Sequence, residues 1–103
     1  MDGIEFMSST MLLVFVQPLV PILHQQLVVA ERGVDEAVDE TDKFLDQAFL
    51  NGLEHVRIIH GHGTGALRRA ISDLLKDHPH VSRFSPAPQD QGGSGATIVE
   101  LKQ

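Results

Sequence analysis

Residues 56–71, VRIIHGHGTGALRRAI, pass from an apolar run to an amphipathic one through three glycines and two histidines. Val56 to Ile59 has the composition of a buried strand. Leu67, Ala70, Ile71, Leu74 and Leu75 recur at helical spacing and predict a helix, with Thr64 as its N-cap. Between them lies His60-Gly61-His62-Gly63-Thr64-Gly65. Glycines at a strand-to-helix junction let backbone N–H groups come close to a ligand, and the helix start adds unpaired N–H donors and partial positive charge. The stretch is therefore either a plain turn or a phosphate cradle. Arg68 and Arg69, one turn into the helix, favour the cradle. Adjacent helix positions point about 100° apart, so one of the two guanidiniums is expected to face the loop. No Lys-Ser/Thr follows the last glycine, so this is not a Walker A loop, and the glycines do not have G-x-G-x-x-G spacing.

The flanking sequence predicts alternating strands and helices. Leu27 to Ala30 reads as a short strand. Val34, Ala37, Val38, Thr41, Phe44, Leu45, Ala48 and Phe49 form a helical stripe, with Asp35 and Glu36 in the favourable first turn. Asn51-Gly52 stops that helix. Pro79 stops the next one, because His78 before a proline is biased away from helix. VSRF at 81–84 is a third strand, SPAPQDQGGSG at 85–95 a Pro/Gly loop, and ATIVEL at 96–101 a final strand. The order β-α-β-α-β-β predicts an α/β fold of two helices packed on a four-stranded mixed sheet, with right-handed crossovers and an antiparallel last pair.

Composition narrows the function classes. The chain has 103 residues, 42% apolar and 21% charged, enough for one domain with a modest core. Lacking cysteine, it has neither disulfides nor thiolate metal sites. The net charge of −6 argues against a uniformly basic nucleic-acid binder. The charge is uneven, however. Residues 27–52 carry seven acids against Arg32 and Lys43, a net of −5, whereas residues 53–84 carry five bases against three acids, a net of +2. That contrast suggests a local anion site on an acidic protein.

The first 26 residues stand apart. MLLVFVQPLVPIL, 11–23, is too short to span a bilayer as a helix and is interrupted by Pro18 and Pro21. It has the length of a signal-peptide core, but Asp2 and Glu5 precede it, no Lys or Arg does, and no small-x-small cleavage site follows. The expectation is an apolar leader, residues 1–26, that supplies a strand or drives self-association, followed by the domain proper at 27–103.

His60 and His62 lie two apart, and on an extended segment they point to one side. Such a pair has the chemistry of an acid and a base for phosphodiester cleavage. It is also able to ligate a metal, but no neighbouring carboxylate completes a two-metal nuclease centre. The structural alternative is that His60 hydrogen-bonds the loop backbone and His62 is simply exposed. His78 and His80, flanking Pro79, read as turn and surface residues.

Residues 34–103 closely resemble the Smr domain, the small MutS-related module found at the C-terminus of bacterial MutS2 proteins. The resemblance lies in VDEAVDETDKFLDQAFLNGLEHVRIIHGHGTGALRRAISDLLKDHP and GGSGATIVEL. His60, Gly61, Gly63, Gly65, Leu67 and Arg68 satisfy the family pattern H-G-x-G-x-G-x-L-R. The resemblance implies a cytoplasmic α/β sandwich like the C-terminal domain of bacterial translation initiation factor three. It also implies nucleic-acid binding and, in many members, endonuclease activity on DNA or RNA, alongside an ATPase that acts on branched DNA or collided ribosomes. It assigns phosphate binding to Gly61, His62, Gly63, Thr64, Gly65, Arg68 and Arg69, and acid–base chemistry to His60. No membrane partner is implied, and a divalent metal is the one cofactor that the chemistry admits. Without metal, RNA is the easier substrate, because its 2′-hydroxyl attacks the adjacent phosphate with histidine help.

The first strand departs from the family. Smr domains carry Leu-Asp-x-His/Arg-Gly there, with the acidic residue tied to nuclease activity. The usual spacing gives Leu27-Val28-Val29-Ala30-Glu31, and alignment on Arg-Gly gives Val29-Ala30-Glu31-Arg32-Gly33. Neither register supplies an aspartate. Glu31 is the substitute carboxylate in a shifted position, and without one the domain is a non-catalytic binding module.

Overall fold

The computed structural model describes residues 25–103; the apolar stretch at 11–23 lies outside them. Four strands and two helices follow in the expected order: β1 (Gln26–Val28), α1 (Val34–Leu50), β2 (His55–Ile59), α2 (Ala66–Asp77), β3 (Val81–Pro86) and β4 (Ala96–Leu101). Single 3-10 turns at Gln89–Gln91 and Gly93–Gly95 occupy the loop before β4. Among the described residues no helix is long and apolar enough to cross a membrane.

The sheet order is β1-β2-β4-β3. β1 pairs parallel with β2, and β4 pairs antiparallel with both β2 and β3. β1, β2 and β3 therefore all run one way, and the last strand in sequence is inserted against them. The expected antiparallel end pair is present. Both crossovers, β1-α1-β2 and β2-α2-β3, step across the sheet in the same direction, and right-handed connection then puts both helices on one face.

Alternation fixes which side chains meet those helices. Val56 and Ile58 of β2 and Val99 and Leu101 of β4 are buried, whereas Arg57, Ile98 and Glu100 between them are not. From the helices come Ala37, Leu45, Ala48, Ile71 and Leu75, and from the first segment Val29, forming one core cluster. Thr41 lies in the same stripe, fully buried, and its hydroxyl has no hydrogen-bond partner among the described residues.

The helix ends follow the sequence signals with one change. Asn51 is the C-cap of α1, and Gly52 follows at φ +75°. His78 ends α2 in extended geometry before Pro79. At the start of α2, however, the N-cap is Gly65 rather than Thr64. Gly65 takes the left-handed conformation, and the Thr64 hydroxyl accepts the Ala66 N–H at 3.3 Å from one position earlier. A glycine that turns left-handed at the junction leaves the threonine outside the cap position.

The expectation for His78 and His80 also changes. Pro79 reverses the chain and brings both rings against the end of α1. His78 is only 6% exposed, and its Nδ1 accepts the His80 N–H at 3.1 Å. In the neutral ring Nε2 then carries the proton and donates to Asp42 Oδ1 at 2.8 Å, with Asp46 farther off at 3.6 Å. The His80 ring stacks on Phe49 with centroids 3.9 Å apart and planes 9° from parallel. These are ties between the two helices, not surface decoration. Replacing His78→Ala is expected to cost about 2 kcal/mol, the scale of a hydrogen bond to a charged group, read as a lower urea midpoint at unchanged slope. Asp46→Asn is expected to move the midpoint far less, since its contact is too long for a hydrogen bond.

Candidate functional site

Because β1, β2 and β3 are parallel to one another and β4 opposes them, their C-terminal ends and the start of β4 share one edge of the sheet. Both helices begin there. This is the edge at which α/β folds present ligand sites, outside the carboxyl ends of the strands.

The loop 60–65 is held on that edge by the segment before β4. The Gly95 carbonyl accepts two N–H groups, from His60 at 3.1 Å and from Gly61 at 2.9 Å. Gly61 sits at φ +78°, and a Cβ there would lie 3.2 Å from the Ala30 Cβ, so the end of β1 also presses on the loop. Gly95 is constrained by contact instead: a Cβ on it would lie 2.9 Å from His62 Cε1. Within the described residues no hydrogen bond uses the N–H groups of His62, Gly63, Thr64, Leu67 or Arg68. The loop and the first turn of α2 thus present a row of free donors around a hollow of about 390 Å³.

Both guanidiniums approach Gly65, and Arg68 lines this hollow. A Cβ on Gly65 would lie 3.1 Å from Arg69 Nη1 and 3.4 Å from Arg68 Nη2. Both side chains fold back toward the left-handed Gly65, and Arg68 is the one that borders the hollow. Neither has an acidic partner among the described residues, whereas Arg32, Lys43, Lys76 and Arg83 each do. Arg68 lines the hollow together with His60, Gly61, His62, Gly63, Thr64 and Gly65.

The two loop histidines differ. His62 is exposed. His60 is 3% exposed, and both its ring nitrogens are engaged: Nδ1 with the Gly61 carbonyl at 3.0 Å, and Nε2 with Thr97 Oγ1 at 2.9 Å. The carbonyl accepts only, so Nδ1 carries the proton and Nε2 accepts from the Thr97 hydroxyl. Burial pushes the His60 pKa below its usual 6.5, the Gly61 carbonyl opposes that shift, and Arg68 and His62 add to it.

Glu31 does not join the loop. It is exposed on the turn after β1 and borders a separate hollow with Val28, Ala30 and Arg32. The strand shows which side chains face inward. Val29 is fully buried and Leu27 packs on the core, while Val28 is 53% exposed and Ala30 faces the loop. Leu27 and Val29 are therefore the inward pair and Val28 and Ala30 the outward one, which is the alternation of the register that begins at Leu27.

Sequence reasoning missed three contributors: Ala30, Gly95 and Thr97. The GGSG run before the last strand was the only local signal for the second of these. A different grouping, Asp42, Asp46 and His78, has metal-ligand spacing. It lies at the opposite end of the sheet, and in the neutral ring the His78 nitrogen that faces the carboxylates donates its N–H to Asp42, so it has no lone pair for a metal ion.

The Smr domain family pattern matches residues 29–102. Endonuclease MutS2 of Clostridium botulinum (strain 657 / Type Ba4) is 52% identical over 73 residues, which is 69% of this chain and 9% of that protein. Endonuclease MutS2 of Clostridium novyi (strain NT) is 53% identical over the same length. The chain thus matches about a tenth of the length of these relatives. The crystal structure of the Smr domain of Thermus thermophilus MutS2 superposes with a TM-score of 0.75 at 39% identity, covering 77% of this chain and 99% of that one. YdaL, a stand-alone small MutS-related protein from Escherichia coli, superposes with a TM-score of 0.73 at 29% identity, covering 77% of this chain and 65% of that one. The strand order, the glycine loop and these matches agree: the chain belongs to the Smr domain family.

Proposed function

We propose that this domain binds the sugar–phosphate backbone of DNA or RNA at the loop 60–65 and holds it without efficient cleavage. The observation that carries the reading is the pairing of a donor-rich loop with an apolar first strand. Free N–H groups, the start of α2 and the guanidiniums of Arg68 and Arg69 supply what a phosphate needs. Cleavage needs a group that takes or gives a proton at the phosphate. In the register that begins at Leu27, Val28 and Ala30 take the positions at which the resemblance expects such groups, and neither has one. His60 has the right chemistry but is occupied on both nitrogens. It acts here as a positioning residue that holds Gly61 and Thr97 in place.

A second reading is supported by the endonuclease names of the relatives. In it His60 is the acid–base residue, released when the Thr97 hydroxyl turns away. The ribosome and branched DNA enter as partners on the same footing, through the longer proteins that carry this domain. Both readings place the domain in the cytoplasm.

Three outcomes are expected. Affinity for short single- or double-stranded oligonucleotides, followed by fluorescence anisotropy, falls steeply with added salt; Arg68→Ala and Arg69→Ala each weaken it and flatten the salt slope by about one phosphate contact. Salt-independent affinity would remove phosphate from the site. Next, branched DNA and structured RNA stay intact with the unaltered chain, with or without EDTA, while Val28→Asp combined with Ala30→His begins to cut. Cleavage by the unaltered chain that His60→Ala abolishes would establish the endonuclease reading instead. Finally, the His60 ring titrates below 6.5 by NMR. As pH drops below 6.5 the unfolded chain takes up a proton that folded His60 refuses, so stability falls with pH until the folded ring protonates. His60→Gln removes that part of the slope, and a midpoint at or above 6.5 would show the ring to be hydrated.

A further inference from the structure

A second, smaller hollow of about 210 Å³ adjoins the loop on the far side of Arg68. We propose that it receives one nucleobase of the strand whose phosphate lies at 60–65; this deepens the backbone-binding reading and rests on it. Continuity is the first argument. Arg68 lines both hollows, and the His60–Thr97 hydrogen bond crosses between them, since His60 borders the first and Thr97 the second. A strand held by its phosphate at Arg68 therefore has an adjacent base within reach of this recess.

The lining is the second argument. Among the described residues Phe84 is the one aromatic side chain in it: half-buried in β3, it packs on the core and also borders the recess. Phe49 stacks on His80, and Phe44 packs on the core without bordering either hollow. An aromatic surface beside an arginine is the pairing on which single-stranded nucleic acids lay their bases. Ser72 on α2 and Ser94 in the loop before β4 add hydroxyls at the rim, able to donate or accept. The Thr97 hydroxyl has given its proton to His60, so toward the recess it can only accept, which suits an N–H edge. Among the described residues no carboxylate borders either hollow. A volume of this size is below the roughly 300–1,000 Å³ of drug-sized sites and suits a single ring system. Because rotating hydroxyls adapt to either polarity, the recess senses the presence of a base more strongly than its identity.

The test compares short single-stranded RNA and DNA oligomers with abasic oligomers of the same length and charge, by anisotropy at low salt. The unaltered chain is expected to prefer the base-bearing strand about tenfold, within the range of one stacked base. Phe84→Leu, which keeps the apolar packing, and Ser94→Phe, which fills the recess from an exposed turn, each bring that preference to about twofold or less while the salt slope persists. Equal affinity for base-bearing and abasic strands, with Arg68→Ala still weakening both, would overturn the base recess and leave the loop reading intact. If Arg68→Ala changes neither affinity, the loop reading falls and takes this proposal with it.

Discussion

The Gly95 carbonyl holds the site together. One oxygen accepts the N–H groups of two successive residues, His60 and Gly61. That forces the chain leaving β2 to turn sharply enough for the left-handed glycines to follow, and it places α2 where its first turn points outward over the edge. The His60 ring completes the arrangement from below by bridging the Gly61 carbonyl and the Thr97 hydroxyl. A histidine there is as much a mortar between β2 and β4 as a chemical group. Its burial follows from that work.

The electrostatics follow from the same geometry. The acids of α1 pair locally with Arg32, Lys43, His78 and His80 or lie in solvent. Arg68 and Arg69, without an acidic partner among the described residues, converge on one glycine. An acidic protein can therefore carry a cationic point, and Coulomb attraction between exposed charges weakens beyond about 10 Å at moderate salt. The bulk charge of −6 is thus compatible with holding a phosphate, while it disfavours loose attachment along a polyanion.

Much of this was legible in the sequence. Both helices follow from apolar spacing, their ends from Asn51-Gly52 and Pro79, and the loop from three glycines in six residues. Local rules work where the determinants are local. Two things were not legible. The insertion of β4 between β2 and β3 depends on pairing between segments far apart in sequence, which strand patterns do not encode. The fate of side chains that cross between elements was hidden for the same reason: His78 reads as a turn residue until α1 packs beside it, and the reach of Arg68 and Arg69 depends on the direction in which Gly65 sends the helix.

The central place of β4 has a consequence for the order of events during synthesis. A ribosome delivers the chain from its first residue onward, and the strand that lies between β2 and β3 is the last to be made. Until Ala96–Leu101 emerges, β2 and β3 have no shared neighbour, the loop has no Gly95 to grip and His60 has no Thr97. The glycine loop exists as sequence well before it exists as a shape. A nascent chain of this domain is therefore unable to hold the folded loop while Ala96–Leu101 is still inside the exit tunnel, and that edge takes its shape in one step with the closing of the sheet.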